Sequence, residues 1–106
     1  MARDVGEMVM ELVLNDLRPR DIMTDRALDN AIRIMATVDG SSAGVMHLLA
    51  IAGRLGIDLP LTRFDEISTT TPVLLNLKPS GEYYMNDFFN AGGVPALLNA
   101  LGDLIH

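Results

Sequence analysis

The sequence predicts a mainly α-helical chain of five to six helices with one short strand or hairpin. Three observations carry that prediction. Apolar residues recur three and four positions apart along most of the chain, which places them on one face of a helix. Capping and breaking residues divide these runs into lengths ordinary for helices. One stretch alone, Val73-Leu74-Leu75-Asn76-Leu77, reads convincingly as a strand.

Arg3 to Leu17 reads as an amphipathic helix, with Val5, Met8, Val9, Leu12 and Val13 on one face and Asp4, Glu7 and Glu11 on the other. Arg18-Pro19-Arg20-Asp21 breaks it, because proline disfavours the helical conformation in the residue before it. Thr24 is a good N-cap for the next helix, and Asp25 suits its first turn. Leu28, Ala31, Ile32 and Met35 then repeat at helical spacing until Asp39-Gly40 ends the run. A third helix extends from about Ser42 to Leu55, with Gly56 as C-terminal cap and Pro60 soon after. It is apolar on almost all sides, which predicts a central buried helix.

Thr62-Arg63-Phe64-Asp65 has the pattern of a capping box and opens a short helix to Ser68. The β-branched run Thr69-Thr70-Thr71 and then Pro72 stop it. The strand Val73 to Leu77 needs a partner, because a lone strand is not stable. Either it pairs with Glu82-Tyr83-Tyr84 across the turn Lys78-Pro79-Ser80-Gly81, or it pairs with a strand outside this chain. Asn86 suits the cap of a short helix from Asp87 to Asn90; Gly92-Gly93 is a hinge, and Val94-Pro95 starts the last helix.

Composition bounds the function. The 106 residues make one domain at most, spanning 1–106. The net charge is −6 and Lys78 is the one lysine, so no basic stripe exists and nucleic acid is not an expected partner. With no cysteine, the chain can form no disulfide, no thiolate zinc site and no Cys-ligated iron–sulfur cluster. His47 and His106 lie far apart and show no ligand spacing, so no metal site is expected either. No apolar run reaches membrane-spanning length, and Met1 to Asp16 shows no signal peptide, so no membrane partner is expected and the expected compartment is the cytoplasm. The apolar fraction of 49% fits either a well-packed helical domain or a piece of a larger protein with apolar faces turned to other segments. Self-association into a homo-oligomer through such faces is the expectation.

The chemistry-bearing segment is Asp39 to Leu49, a turn of small residues feeding an apolar helix. A helix start leaves backbone N–H groups unpaired, with the positive end of the dipole behind them, and so suits a carboxylate or phosphate. Gly40, Ser41 and Ser42 are therefore candidate contacts for a small acidic ligand, although serine at a helix start is more commonly a plain cap. Lys78 and Ser80, in the Lys-Pro-Ser-Gly turn, are further candidates. No catalytic residue is assigned. His47 reads as an ordinary core residue of an apolar helix, and the adjacent Asp65 and Glu66 point apart. Asp25, Asp29 and Arg33 lie at helical spacing and read as surface ion pairs, each worth about 0.3–0.5 kcal/mol.

Taken in order, several blocks resemble a known family. They are Leu17-Arg18-Pro19-Arg20-Asp21-Ile22-Met23-Thr24, Asn30-Ala31-Ile32-Arg33, Gly40-Ser41-Ser42, His47-Leu48-Leu49-Ala50-Ile51-Ala52, Phe64-Asp65, Pro72-Val73-Leu74, Leu77-Lys78-Pro79-Ser80-Gly81, Met85 with Asp87, and Gly92-Gly93-Val94-Pro95-Ala96. This series resembles the dihydroxy-acid dehydratase and phosphogluconate dehydratase family, which includes the sugar-acid dehydratases. The resemblance implies dehydration of a 2,3-dihydroxy acid to a 2-keto acid, with an iron–sulfur cluster as Lewis acid and a magnesium ion gripping the substrate. It also implies that segments outside this chain hold both groups, and that the chain is an internal fragment of a larger N-terminal α/β domain, inactive by itself. One departure stands out. Where the family carries Gly-Gly-Ser-Thr-Asn, this chain has Asp39-Gly40-Ser41-Ser42-Ala43. The alternative to the fragment is a free-standing helical interaction module without catalysis.

Overall fold

A computed structural model describes residues 2–106. Seven α-helices follow one another among the described residues: α1 (Ala2–Leu14), α2 (Pro19–Ile22), α3 (Asp25–Thr37), α4 (Ser42–Leu55), α5 (Leu61–Thr69), α6 (Met85–Asn90) and α7 (Gly93–Leu101), with a final 3₁₀ turn at Gly102–Leu104. The mainly α expectation holds. None of these helices is long and apolar enough to cross a membrane.

α3 is the hub. Thr24 caps it as its sequence predicts, its Oγ1 accepting the Ala27 N–H at 3.3 Å. Leu28 and Ile32, one turn apart, are 1% exposed, and α4 and α5 both pack on this side. Leu28, Ile32, Ala52, Leu59 and Phe64 form the core, with Met35, Val45, Leu48, Leu49, Ile57 and Ile67 around it. The ion pairs differ from expectation. Asp25 and Asp29 do not pair with Arg33 along their own helix. Both reach Arg63 of α5, whose Nε lies 2.6 Å from Asp29 Oδ1 and whose Nη1 lies 3.2 Å from Asp25 Oδ1. The hydrogen bond to Asp29 holds the Arg63 guanidinium further above its already high pKa. Arg33 instead donates to Thr71 Oγ1 at 2.9 Å and Thr70 Oγ1 at 3.3 Å, at the exit of α5. These two arginines staple both ends of α5 to α3. The chain end is tied to the same helix: Asn30 Nδ2 donates to the His106 carbonyl, and the His106 N–H donates back to Asn30 Oδ1.

Arg63 and Asp29 keep only 27% and 21% of their side chains exposed, so their pair is partly desolvated. Arg63→Met keeps the stem but leaves Asp29 facing the packed helices without its cation. The expected loss is about 1–2 kcal/mol in urea unfolding, against less than about 0.5 kcal/mol for Arg3→Met at the exposed pair with Glu7. Equal losses at the two sites would show that the α3–α5 staple carries no extra stability.

Several local expectations shift. The break at Pro19 carries a helical turn of its own, α2, with the Asp21 carboxylate accepting the Arg18 N–H at 2.8 Å. α5 starts one residue before Thr62, on Pro60, so Thr62 is inside the helix and caps nothing. At α6 it is Asp87, not Asn86, that closes the start, accepting the Tyr84 N–H at 2.8 Å. Val73 to Leu77 does not form a strand. Leu77 and Tyr83 make a single bridge, with the Lys78 N–H bonded to Tyr83 O and the Tyr83 N–H to Asn76 O. The Gly81 N–H also folds back on Leu77 O, closing a compact loop instead of a ladder, and among the described residues no neighbouring strand extends it.

α4 is not the buried central helix its composition predicts. Only Ala52 is buried; Val45, Leu48 and Leu49 are partly covered by the core, while Met46 is 69% exposed. α3 covers one side, while Met46, His47, Ala50 and Ile51 remain exposed. α1 is uncovered on its apolar face as well: Val5, Met8, Val9 and Val13 are all at least half exposed.

Candidate functional site

The candidate site grows from the way α3 stops. Its last turn closes with the Gly40 N–H bonded to Met35 O at 2.8 Å and the Asp39 N–H to Ala36 O at 3.4 Å, the paired bonds of a Schellman ending. That ending needs a left-handed residue, and Asp39 supplies it at φ 53°. Gly40 must be glycine for a different reason. A Cβ there would sit 2.3 Å from Met35 Cγ and 3.0 Å from the Met35 carbonyl oxygen. The chain can then turn tightly across α3 and enter α4, with Ser41 at the cap position.

The turn meets the far loop of the chain. A cavity of about 480 Å³ lies beside α3, lined by Met35, Asp39, Gly40, Asp65, Ser68 and Thr71 among others. A second, of about 330 Å³, is lined by Ala36, Asp39, Val73, Asn76, Ser80 and Gly81, with Leu75. Ala36, Asp39 and Val73 border both, so the two adjoin along the end of α3. Arg33 helps set the wall, because it holds Thr70 and Thr71 where the chain leaves α5. Gly81 is packed against the Asn76–Leu77 backbone, and Ser80 Oγ lies 3.5 Å from Leu77 O.

Of the residues singled out in the sequence, Gly40 lines the larger cavity and Ser80 the smaller one beside it. Ser41 and Ser42 lie exposed at the start of α4; the Ser41 hydroxyl makes no capping bond, so it is not an ordinary N-cap. Lys78 does not line the cleft. Its Nζ donates to Tyr84 Oη at 2.9 Å and sits 4.4 Å from that ring's centroid. His47 is exposed rather than in the core, on a groove between α2 and α4 with Pro19, Met23, Ile51 and Arg54. Sequence reasoning missed Asn76 and noted Asp39 only as a departure from the family's pattern. The signal for Asn76 was present, as the one polar residue inside an otherwise aliphatic run. Neither cavity is lined by a lysine or arginine among the described residues. The cleft therefore offers hydroxyls, an amide, backbone groups and the carboxylates of Asp39 and Asp65.

The donor set does not suit an iron–sulfur cluster, because there is no thiolate. Among the described residues no three His, Asp or Glu side chains gather to hold a metal ion.

These features define a helical segment with a cleft sized for a small molecule, in which a few polar groups sit among apolar side chains such as Phe64, Val73 and Leu75. The family model described as dihydroxy-acid/6-phosphogluconate dehydratase N-terminal matches residues 1–106, and the chain belongs to that family. It is 48% identical over 108 residues to an L-arabinonate dehydratase of Rhizobium leguminosarum, an alignment covering all of this chain and 19% of that protein. It is 51% identical over 100 residues to a dihydroxy-acid dehydratase of Trichlorobacter lovleyi, covering 94% of this chain and 18% of that one. A dihydroxy-acid dehydratase of Thermodesulfovibrio yellowstonii is 46% identical over 106 residues. The chain thus spans about a fifth of the length of the relatives it matches, and the family resemblance read in its motifs is borne out.

Proposed function

We propose that this chain is a substrate-holding part of a cytoplasmic hydro-lyase that dehydrates 2,3-dihydroxy acids or sugar acids to 2-keto acids, and that it has no turnover by itself. The observation that carries the reading is the cleft, where the turn between α3 and α4 meets Ser80 and Gly81 in a chain of this family. Its groups bind and orient; none is a thiolate or a clustered metal ligand. The iron–sulfur cluster and magnesium that the family resemblance implies belong, on this reading, to residues outside this chain, where they would supply Lewis-acid activation of the leaving hydroxyl. The acid's carboxylate is taken by backbone N–H groups at the start of α4, where the helix dipole favours negative charge.

The test is a titration of the purified chain with a small dihydroxy acid, read by amide resonances. Gly40, Ser41, Ser42, Ser80 and Gly81 are expected to shift more than the helix starts at Thr24 and Pro60, with no 2-keto acid formed even with magnesium and reconstituted cluster present. Equal, weak shifts at all helix starts would refute the binding role, and turnover above a no-protein control would refute the inactivity.

A second reading concerns association, favoured by the exposed apolar faces of α1 and α4. Uncovered faces of this kind promote pairing. Light scattering over a concentration series is expected to show mass rising above that of one chain, and Val9→Glu on α1 is expected to reverse the rise. A strict monomer at high concentration contradicts the association.

A further inference from the structure

α1 presents an apolar face with an acidic edge. Its 13 residues make a rod about 20 Å long, and none of them is buried. Val5, Met8, Val9 and Val13 are each at least half exposed. Asp4, Met8 and Glu11 follow one another at steps of four and three, so the two acids run along one edge of that face. The Glu11 carboxylate has no hydrogen bond or ion pair among the described residues, whereas Glu7 is paired with Arg3 at 3.0 Å. The groove between α2 and α4 is apolar with a basic rim. It has a volume of about 440 Å³, and Pro19, Met23, Ala50, Ile51 and Leu55 give it an apolar lining. Arg54 lines it as well, and also lines an adjoining cavity of about 390 Å³ together with Arg20. Neither guanidinium has a hydrogen bond or ion pair among the described residues. The acid lining that second cavity, Asp25, is already taken by Arg63 at 3.2 Å. The rim is therefore basic in a chain whose net charge is −6.

The two surfaces match in both respects, apolar against apolar and acidic edge against basic rim. α1 does not fill the groove of its own chain, because its apolar face is exposed in the same structure. We infer that α1 of one copy seats in the α2–α4 groove of a second copy, and that the second copy's α1 seats in the first in return. The inference rests on the association reading above and names the two surfaces that meet. α1 ends at Leu14 and α2 starts at Pro19, so each chain carries the helix and the groove side by side. A two-fold pair then covers both helices and both grooves and stops at two chains. Burial of the apolar side chains drives the pairing. Glu11 opposite Arg54 of the other copy sets the register and rejects the approach of like charge.

The test is charge exchange, read by sedimentation equilibrium of the 106-residue chain at low salt, where the pairing charges are least screened. The unchanged chain is expected to form a dimer and no larger species. Glu11→Arg and Arg54→Glu each set like charges against one another at both contacts of the pair. Each is expected to raise the dimer Kd about tenfold, the combined effect of two such contacts. Mixed one to one, the two variants are expected to recover the affinity of the unchanged chain, because both contacts of the mixed pair are again opposite in charge. Arg26→Glu makes the same change in net charge as Arg54→Glu, at an exposed arginine of α3 that lines neither cavity, and is expected to leave Kd unchanged. Variants that pair as tightly as the unchanged chain, or a mixture that does not recover, overturn this seating and leave association standing. Growth beyond two chains overturns the reciprocal pair. A monomer at every concentration overturns association itself, and this inference with it.

Discussion

Leu28→Ala is expected to lower the stability of the chain by about 3–4 kcal/mol, a large loss for one core substitution. Leu28 is 1% exposed on α3, in the cluster where α4 and α5 meet that helix. Its buried neighbours Ile32, Ala52, Leu59 and Phe64 are mostly aliphatic, and they sit on three different elements and a connecting loop. They cannot all move in to fill the space, so the loss includes a cavity as well as the transfer of the side chain. Against the roughly 5–15 kcal/mol typical of a small domain, this is a large share. The melting temperature is expected to fall by roughly 12–25 °C, followed by circular dichroism. Leu61→Ala, at a residue 64% exposed on α5, is the control and is expected to cost less than about 0.5 kcal/mol. A loss at Leu28 below about 1 kcal/mol would mean that α3, α4 and α5 do not close on one another as described.

Gly81→Ala is the second large effect, and it falls on the site. A Cβ at this position would lie 2.3 Å from the Asn76 carbonyl carbon and 2.5 Å from the Leu77 nitrogen. Both are backbone atoms, so no rotamer change makes room. The loop must open, and with it the bonds from Lys78 N–H to Tyr83 O, Tyr83 N–H to Asn76 O and Gly81 N–H to Leu77 O. The expected cost is about 1–3 kcal/mol, concentrated locally. In hydrogen exchange the Lys78, Gly81 and Tyr83 amides are expected to lose protection while those of Leu28 and Ile32 in α3 keep theirs. Shifts at Ser80 on adding an acid ligand are expected to vanish, since the loop supplies one wall of the cleft. Gly53→Ala gives the contrast: nothing lies within 4 Å of a Cβ there, and the position is inside α4. That change is expected to stabilise the chain by about 0.5–1 kcal/mol. Unchanged protection in Gly81→Ala would show that the loop is not packed as described.

The local signals were legible where the physics is local. Thr24 caps α3 because a threonine oxygen and an N–H three residues on need no other partner. Gly56 ends α4 at φ 74° for the same kind of reason. The turn at Gly40 and Ser41 was read as part of the chemistry-bearing segment, and Gly40 lines the larger cavity beside α3. Asn76, which lines the smaller cavity from the far loop, was hidden inside what read as a strand. The strand itself failed because aliphatic spacing specifies an exposed or buried face, not a partner, and among the described residues no second strand stands beside it. The reading of α4 failed on a related point. Apolar residues on every side state what the helix could bury, and the described residues leave Met46, His47, Ala50 and Ile51 exposed.

The sequence by itself determined the helical class, the placing of most helix ends and the family, since each depends on residues within a few positions of one another or on their order along the chain. The tertiary structure alone decided which charges meet and what the cleft contains. Arg63 reaches Asp29 across 34 positions and Arg33 reaches Thr71 across 38, although Arg33 is one helical turn from Asp29. Spacing along α3 favoured the near pair by a few tenths of a kcal/mol at about the level of an exposed i,i+4 contact. Burial of Leu28, Ile32 and Phe64 is worth several times more. That burial sets how α5 lies on α3, and the arginines pair with whatever the packing brings within reach.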